Sequence, residues 1–162
     1  MPNPNIIRLE EAAVRKALGG TLKDIFNPAN VGAKNFRFSV GYFDPREGLQ
    51  VHIHPESEEV YYVISGKGIV LLGQERKEIA IEPNMALYIP NGTPHGVTNT
   101  GKEKLLVAFF VTPGNDKAMC PSCSEYLALP DSQIISILHQ TPPPSVIDCL
   151  RSPSLPTRDA SC

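Results

Sequence analysis

From about residue 35 to residue 112 the chain alternates short apolar-polar runs with clusters of turn residues. This pattern predicts β-strands near 35–43, 49–54, 59–65, 68–72, 76–81, 85–89, 95–99 and 104–112. The separators are Asp44-Pro45, Pro55-Glu56-Ser57, Gly66-Lys67, Gly73-Gln74, Glu82-Pro83-Asn84, Asn91-Gly92-Thr93-Pro94 and Thr100-Gly101. Regular strands punctuated in this way argue for a β-sandwich or barrel, and eight of them suit a jelly roll.

Outside that block the texture differs. Leu9, Ala12, Ala13, Ala17 and Leu18 fall on one helical stripe, with Glu10 and Glu11 early, Arg15 and Lys16 late, and Gly19-Gly20 at the end. That arrangement suits a helix dipole and a glycine stop, so a short helix is predicted over 9–18 within an N-terminal arm of residues 1–34. Residues 113–140 form a C-terminal extension in which Asp131 can cap a short helix burying Ile134, Ile135 and Leu138. The tail, 141–162, is rich in Pro and Ser and is expected to be irregular. The fold class expected is therefore all-β, a single barrel with a short N-terminal helix and a partly helical, partly irregular C-terminal extension. No internal repeat is present, which excludes a double barrel.

Composition sharpens this picture little. The 162 residues suffice for one domain with its own core. Sixteen Pro and twelve Gly fit a turn-rich β chain. A net charge of −2 without a dense Lys/Arg run gives no support to a nucleic-acid or anionic-membrane partner. No apolar run approaches a membrane span, and the first residues lack the pattern of a signal peptide, so a cytoplasmic protein is expected. Asn91-Gly92-Thr93 spells a glycosylation sequon but reads as turn chemistry in that compartment. Cys120-Pro-Ser-Cys123 is a lone CxxC outside any βαβ context, and with Cys149 and Cys162 it reads as reduced, inert thiol. His139, in the Ile/Leu-rich segment, reads as structural.

The candidate chemistry lies in two stretches. His52 and His54 are two apart on a strand, so both imidazoles point to the same face, and the turn at Pro55 brings Glu59 alongside. His95 opens a later strand after Pro90-Asn91-Gly92-Thr93-Pro94 and supplies a third imidazole. Histidines and a carboxylate converging in a barrel interior suit iron, manganese, nickel, zinc or a similar metal. The competing reading puts these side chains on a surface or in a metal-free site, where buried His and Glu would each need other partners.

At these residues the chain resembles the cupin superfamily. Its first motif, G-x5-H-x-H-x3–4-E-x6-G, matches His52, His54, Glu59 and Gly66. Its second, G-x5-P-x-G-x2-H-x3-N, matches Pro90, Gly92, His95 and Asn99. The opening glycines fall on Arg46 and Asn84. Asn tolerates a left-handed turn, and the loop at 44–48 is expected to be shaped differently. The superfamily permits either spacer, so Glu58 rivals Glu59, but counting back six residues from Gly66 selects Glu59.

The resemblance implies a double-stranded β-helix over 35–112 holding one divalent metal through His52, His54, Glu59 and His95, with iron the leading candidate and manganese, nickel or zinc the alternatives. Such a set leaves two adjacent positions open and a net charge of about +1, which favours a small, anionic, chelating substrate. The superfamily spans many activities, so fold does not choose among them. An iron-dependent dioxygenase acting on a small organic acid or phenolic or dicarbonyl compound leads. A redox-neutral lyase or isomerase, with Tyr61 as base, and a non-catalytic binding module are the alternatives. Tyr61 shares strand parity with Glu59 and reads as either a proton acceptor or a pocket wall. Arg37 alternates with Phe36 and Phe38. It binds a substrate carboxylate if its face lines the barrel mouth and does nothing specific if that face meets solvent. Because small cupins commonly pair and the first strand and the 131–140 segment offer apolar surface, a homodimer is expected.

Overall fold

The computed structural model describes residues 5–116, 118 and 119. The 131–140 helix, the Pro/Ser-rich tail, the four cysteines and His139 lie outside the described residues. Among the described residues, ten strands form two antiparallel sheets. In chain order they are β1 (Ala13–Ala17), β2 (Gly20–Phe26), β3 (Arg37–Phe43), β4 (Gly48–His52), β5 (Glu58–Ser65), β6 (Gly68–Leu72), β7 (Lys77–Ile81), β8 (Ala86–Ile89), β9 (His95–Asn99) and β10 (Leu105–Thr112). One sheet runs β1-β2-β3-β10-β5-β8 and the other β4-β9-β6-β7. The all-β jelly roll is as expected, and each of the eight barrel strands falls within two residues of its predicted limits.

The two sheets bury a common core. Phe43, Tyr61, Val63, Val107 and Phe109 from the larger sheet pack with Leu49, Val70, Ile81 and Val97 from the smaller. Alternation along β5 is strict: Glu59, Tyr61 and Val63 point inward, while Glu58, Val60, Tyr62 and Ile64 are exposed. With Tyr88 and Phe110, those outward apolar side chains leave a partly exposed face on the larger sheet.

The N-terminal arm departs from expectation. Residues 13–17 are a strand, not the end of a helix, and β1 pairs with β2 through Ala17↔Gly20. The two-residue turn between them, Leu18 and Gly19, has φ 53° and 81°, the left-handed pair whose twist matches a tight hairpin. Gly20 is required here, because a Cβ would lie 2.3 Å from the Gly48 carbonyl oxygen. The apolar stripe is nonetheless used. Leu9 and Ala12, with Ile7, cover Ile25 and Val40 in a second, smaller core. The helix present in the arm is the single turn Pro28–Val31, capped by Asn27.

Backbone conformation also explains the two positions that depart from the motif glycines. Arg46 and Asn84 have φ 74° and 70°. The turn at 44–48 thus keeps the left-handed residue that a glycine would supply without strain, and an arginine occupies it instead. No helix among the described residues is long and apolar enough to cross a membrane.

Candidate metal centre

Both sheets contribute to the site. His52 on β4 and His95 on β9 are directly paired across strands, His54 follows two residues after His52, and Glu59 comes from β5 of the opposite sheet. All four side chains are buried, and one donor atom from each lies within 4.8 Å of the others. Glu59 Oε2 is 2.9 Å from His95 Nε2 and 3.4 Å from His54 Nε2.

Two of the rings are oriented by their own strands. His52 Nδ1 is 2.8 Å from the Gln50 carbonyl and His95 Nδ1 is 2.7 Å from that of Thr93. A carbonyl only accepts, so each Nδ1 carries a proton, and Nε2 is the atom each ring can offer to an ion. Burial first, and then the neighbouring His95, holds the His52 imidazole well below its ordinary pKa. Burial outweighs the attraction of Glu59 to lower that of His54 as well. Imidazoles beside one carboxylate are the donor set that a divalent ion needs, and His54 Nδ1 is buried without a hydrogen-bond partner. The residues fit the ion.

Glu58 lies outside this group. It is exposed and accepts a hydrogen bond of 2.8 Å from the Tyr88 hydroxyl. Tyr61 does share the inward face with Glu59, and its ring lies edge-on to His95 at 5.8 Å and to Phe109 at 4.5 Å. Its hydroxyl is buried without a partner, and desolvation with the nearby Glu59 charge pushes its pKa well above the ordinary value.

The four ligands do not fill the interior. His52, His54 and Glu59 line a cavity of about 180 Å³, bounded also by Leu22, Leu49, Phe109 and Val111. Arg37 and Ser39 line it too, so the polar face of β3 turns inward and the ambiguity in that strand is resolved. Tyr61 does not line it. Two contributors were not legible in the sequence. Arg15 reaches the cavity from β1, and the segment after β10 closes one side through Ala118. That segment is pinned by Asp116, which accepts from the amides of Glu56 and Ser57, and by Ser57 Oγ, which donates to the Pro113 carbonyl.

A cupin-domain family model matches residues 39–112, from within β3 to the end of β10. Residues 39–112 are thus a cupin domain. Among curated relatives, the polyketide synthase CurC of Streptomyces cyaneus is 29% identical over 110 residues, covering 68% of this chain and 70% of that protein. The tetracenomycin polyketide synthase protein TcmJ of Streptomyces glaucescens is 28% identical over 107 residues, covering 66% and 70%. A solved double-stranded β-helix protein from Klebsiella pneumoniae superposes with a TM-score of 0.59 at 22% identity, over 70% of this chain and 93% of that one. This last likeness concerns the fold.

Proposed function

We propose that this cupin is a metal-dependent enzyme acting on a small, anionic carbonyl or phenolic compound by redox-neutral enolisation, with isomerisation or ring closure as the outcome. One observation carries the reading: a buried His3Glu set opens on a cavity whose remaining walls combine apolar side chains with cationic ones. A divalent ion held by His52, His54, Glu59 and His95 would act as a Lewis acid on a chelating oxygen.

The chain's own residues supply the rest. Arg37 holds an anionic substrate by hydrogen bonding. Leu22, Leu49, Phe109 and Val111 keep water from the reacting face, which strengthens every charge interaction inside. Fixed cations beside an enolisable carbonyl favour its ionised form, so the proton lost from carbon can pass to solvent water at the cavity mouth without a protein base. The polyketide synthase names of the two Streptomyces relatives support a substrate of this kind, since poly-β-carbonyl chains and phenols enolise and chelate.

A second reading, an iron-dependent dioxygenase, has its own support. Among the described residues that line the cavity, no carboxylate, imidazole or phenol stands apart from the ligand set. An oxygenase does not require one. The test is metal content after anaerobic, chelator-free purification, followed by turnover of 1,3-dicarbonyl and phenolic acids with and without dioxygen. Turnover without dioxygen is expected. Turnover that needs both iron and dioxygen would replace the first reading by the second. Absence of turnover with iron, manganese, nickel or zinc would leave a non-catalytic binding protein.

A further inference from the structure

Two arginines reach the cavity, and each is held along one edge of its guanidinium. Arg15 donates from Nε and Nη2 to the Asp24 carboxylate at 3.0 to 3.2 Å. Arg37 donates from Nε and Nη2 to the Gly114 carbonyl at 3.3 and 3.0 Å, and from Nη2 to the Asp116 carbonyl at 2.8 Å. In both, Nη1 makes no hydrogen bond to the described residues, although the side chain is fixed in place by the other two nitrogens.

Their charges are balanced differently. Arg15 has a carboxylate partner. Arg37 is bonded to carbonyl oxygens, and the carboxylate of the nearby Asp116 is taken up by backbone amides. Burial and the repulsion of Arg15, in that order, hold the Arg37 pKa below its ordinary value, against weaker attraction from Asp24, Glu59 and Asp116. A partly buried cation beside a second cation, in a cavity shared with a metal centre, lacks a direct anionic partner.

We propose that Arg15 and Arg37 form an oxyanion subsite that takes a carboxylate or phosphate carried by the substrate apart from its chelating oxygens. This rests on the reading of the cavity as a substrate site. Guanidinium donors suit the planar or tetrahedral oxyanion, and the pre-fixed edges reduce the ordering needed on binding. The substrate then carries two anionic features, one for the ion and one for the arginines. Both residues precede residue 39, where the family match begins, so the hairpin β1–β2 and the start of β3 set this specificity from outside the matched span.

The test uses the full chain after chelator treatment, so that no ion competes for the probes. Inorganic phosphate and propionate are titrated separately, with calorimetry for affinity and the Nε–H resonances of the arginines as the local readout. One of the two anions should saturate a single site and shift the Arg15 and Arg37 signals. Arg15→Gln should weaken that binding about tenfold or more, as expected for a charge-assisted hydrogen bond, while exposed Lys77→Gln leaves it unchanged. Preference for phosphate would indicate a phosphorylated substrate and preference for propionate a carboxylic acid. Arg37→Gln also loosens the 114–116 segment, so Arg15→Gln decides. Binding of neither anion, or equal binding to Arg15→Gln, would overturn the subsite. Failure of the metal reading shows separately, as unchanged metal stoichiometry in His52→Ala.

Discussion

Asn99 ends the second motif, four residues after His95, and its role is to be tested by replacement with Ala and with Asp. The side chain is fully buried. Its Nδ2 donates to the carbonyls of Phe43 at 2.9 Å and Glu103 at 2.8 Å, and its Oδ1 accepts from the Gly101 amide at 2.9 Å. Its backbone is tied to Arg46 and Glu47, so one residue joins the β3–β4 turn to the β9–β10 turn. Ala removes three hydrogen bonds of about 1 kcal/mol net each from a buried site, so a loss of about 3 kcal/mol is expected. In a domain of this size that lowers Tm by roughly 6–12 °C. Asp keeps the acceptor for Gly101 but sets a carboxylate against two carbonyl oxygens in a dry site, and should cost at least as much as Ala. Denaturant unfolding measures the loss, and metal per folded molecule, read in parallel, should not change. An Ala variant within about 1 kcal/mol of the parent, or a stable variant that loses its metal, would refute this structural role.

Other expectations are as direct. His95→Ala or Glu59→Gln should strip metal from a protein that still unfolds cooperatively, whereas Glu58→Gln should keep it; elemental analysis after desalting decides. Tyr61→Phe removes a buried hydroxyl that has no partner, so stability should stay level or rise by up to about 1 kcal/mol, and turnover should fall less than about tenfold. A larger fall would restore Tyr61 as the base. Gly48→Ala should unfold the barrel or cost more than about 3 kcal/mol, because its Cβ would sit 1.8 Å from the Val97 carbonyl oxygen in the backbone of the paired strand. The exposed Val60, Tyr62, Tyr88 and Phe110 favour a homodimer; light scattering showing a monomer at micromolar concentration would contradict it.

The barrel strands were legible because each buries one face and ends at residues with a reason to turn. The buried cluster was legible because His52 and His54 share a face by parity and the spacing to Gly66 fixes Glu59 inside. The hairpin β1–β2 was not. Ala12, Ala13 and Ala17 among Glu, Arg and Lys have helical composition, and the turn at Leu18-Gly19 places a leucine in a left-handed conformation that no propensity anticipates. A register irregularity between Asp24 and Phe26 also breaks the alternation that would have marked β2. Long-range pairing with β3 overrides these local preferences. Arg15 was missed with its strand. Arg37 was seen, but its face could be fixed only by the register of β3 against β10.

The Nδ1 contacts of His52 and His95 bear on how folding and ion uptake are linked. Each ring is steered by a carbonyl two residues back on its own chain, and each strand is already paired in a sheet with an apolar core. The energy that shapes the site is therefore spent in building the barrel, before any ion arrives. In a zinc finger, by contrast, capture of the metal and folding are the same event. Here a chelator should withdraw the ion and leave the scaffold standing, so the ion can be exchanged during the lifetime of one folded molecule. Which metal occupies the site then follows from the supply in its surroundings and the preferences of three imidazoles and a carboxylate, with little contribution from the stability of the fold.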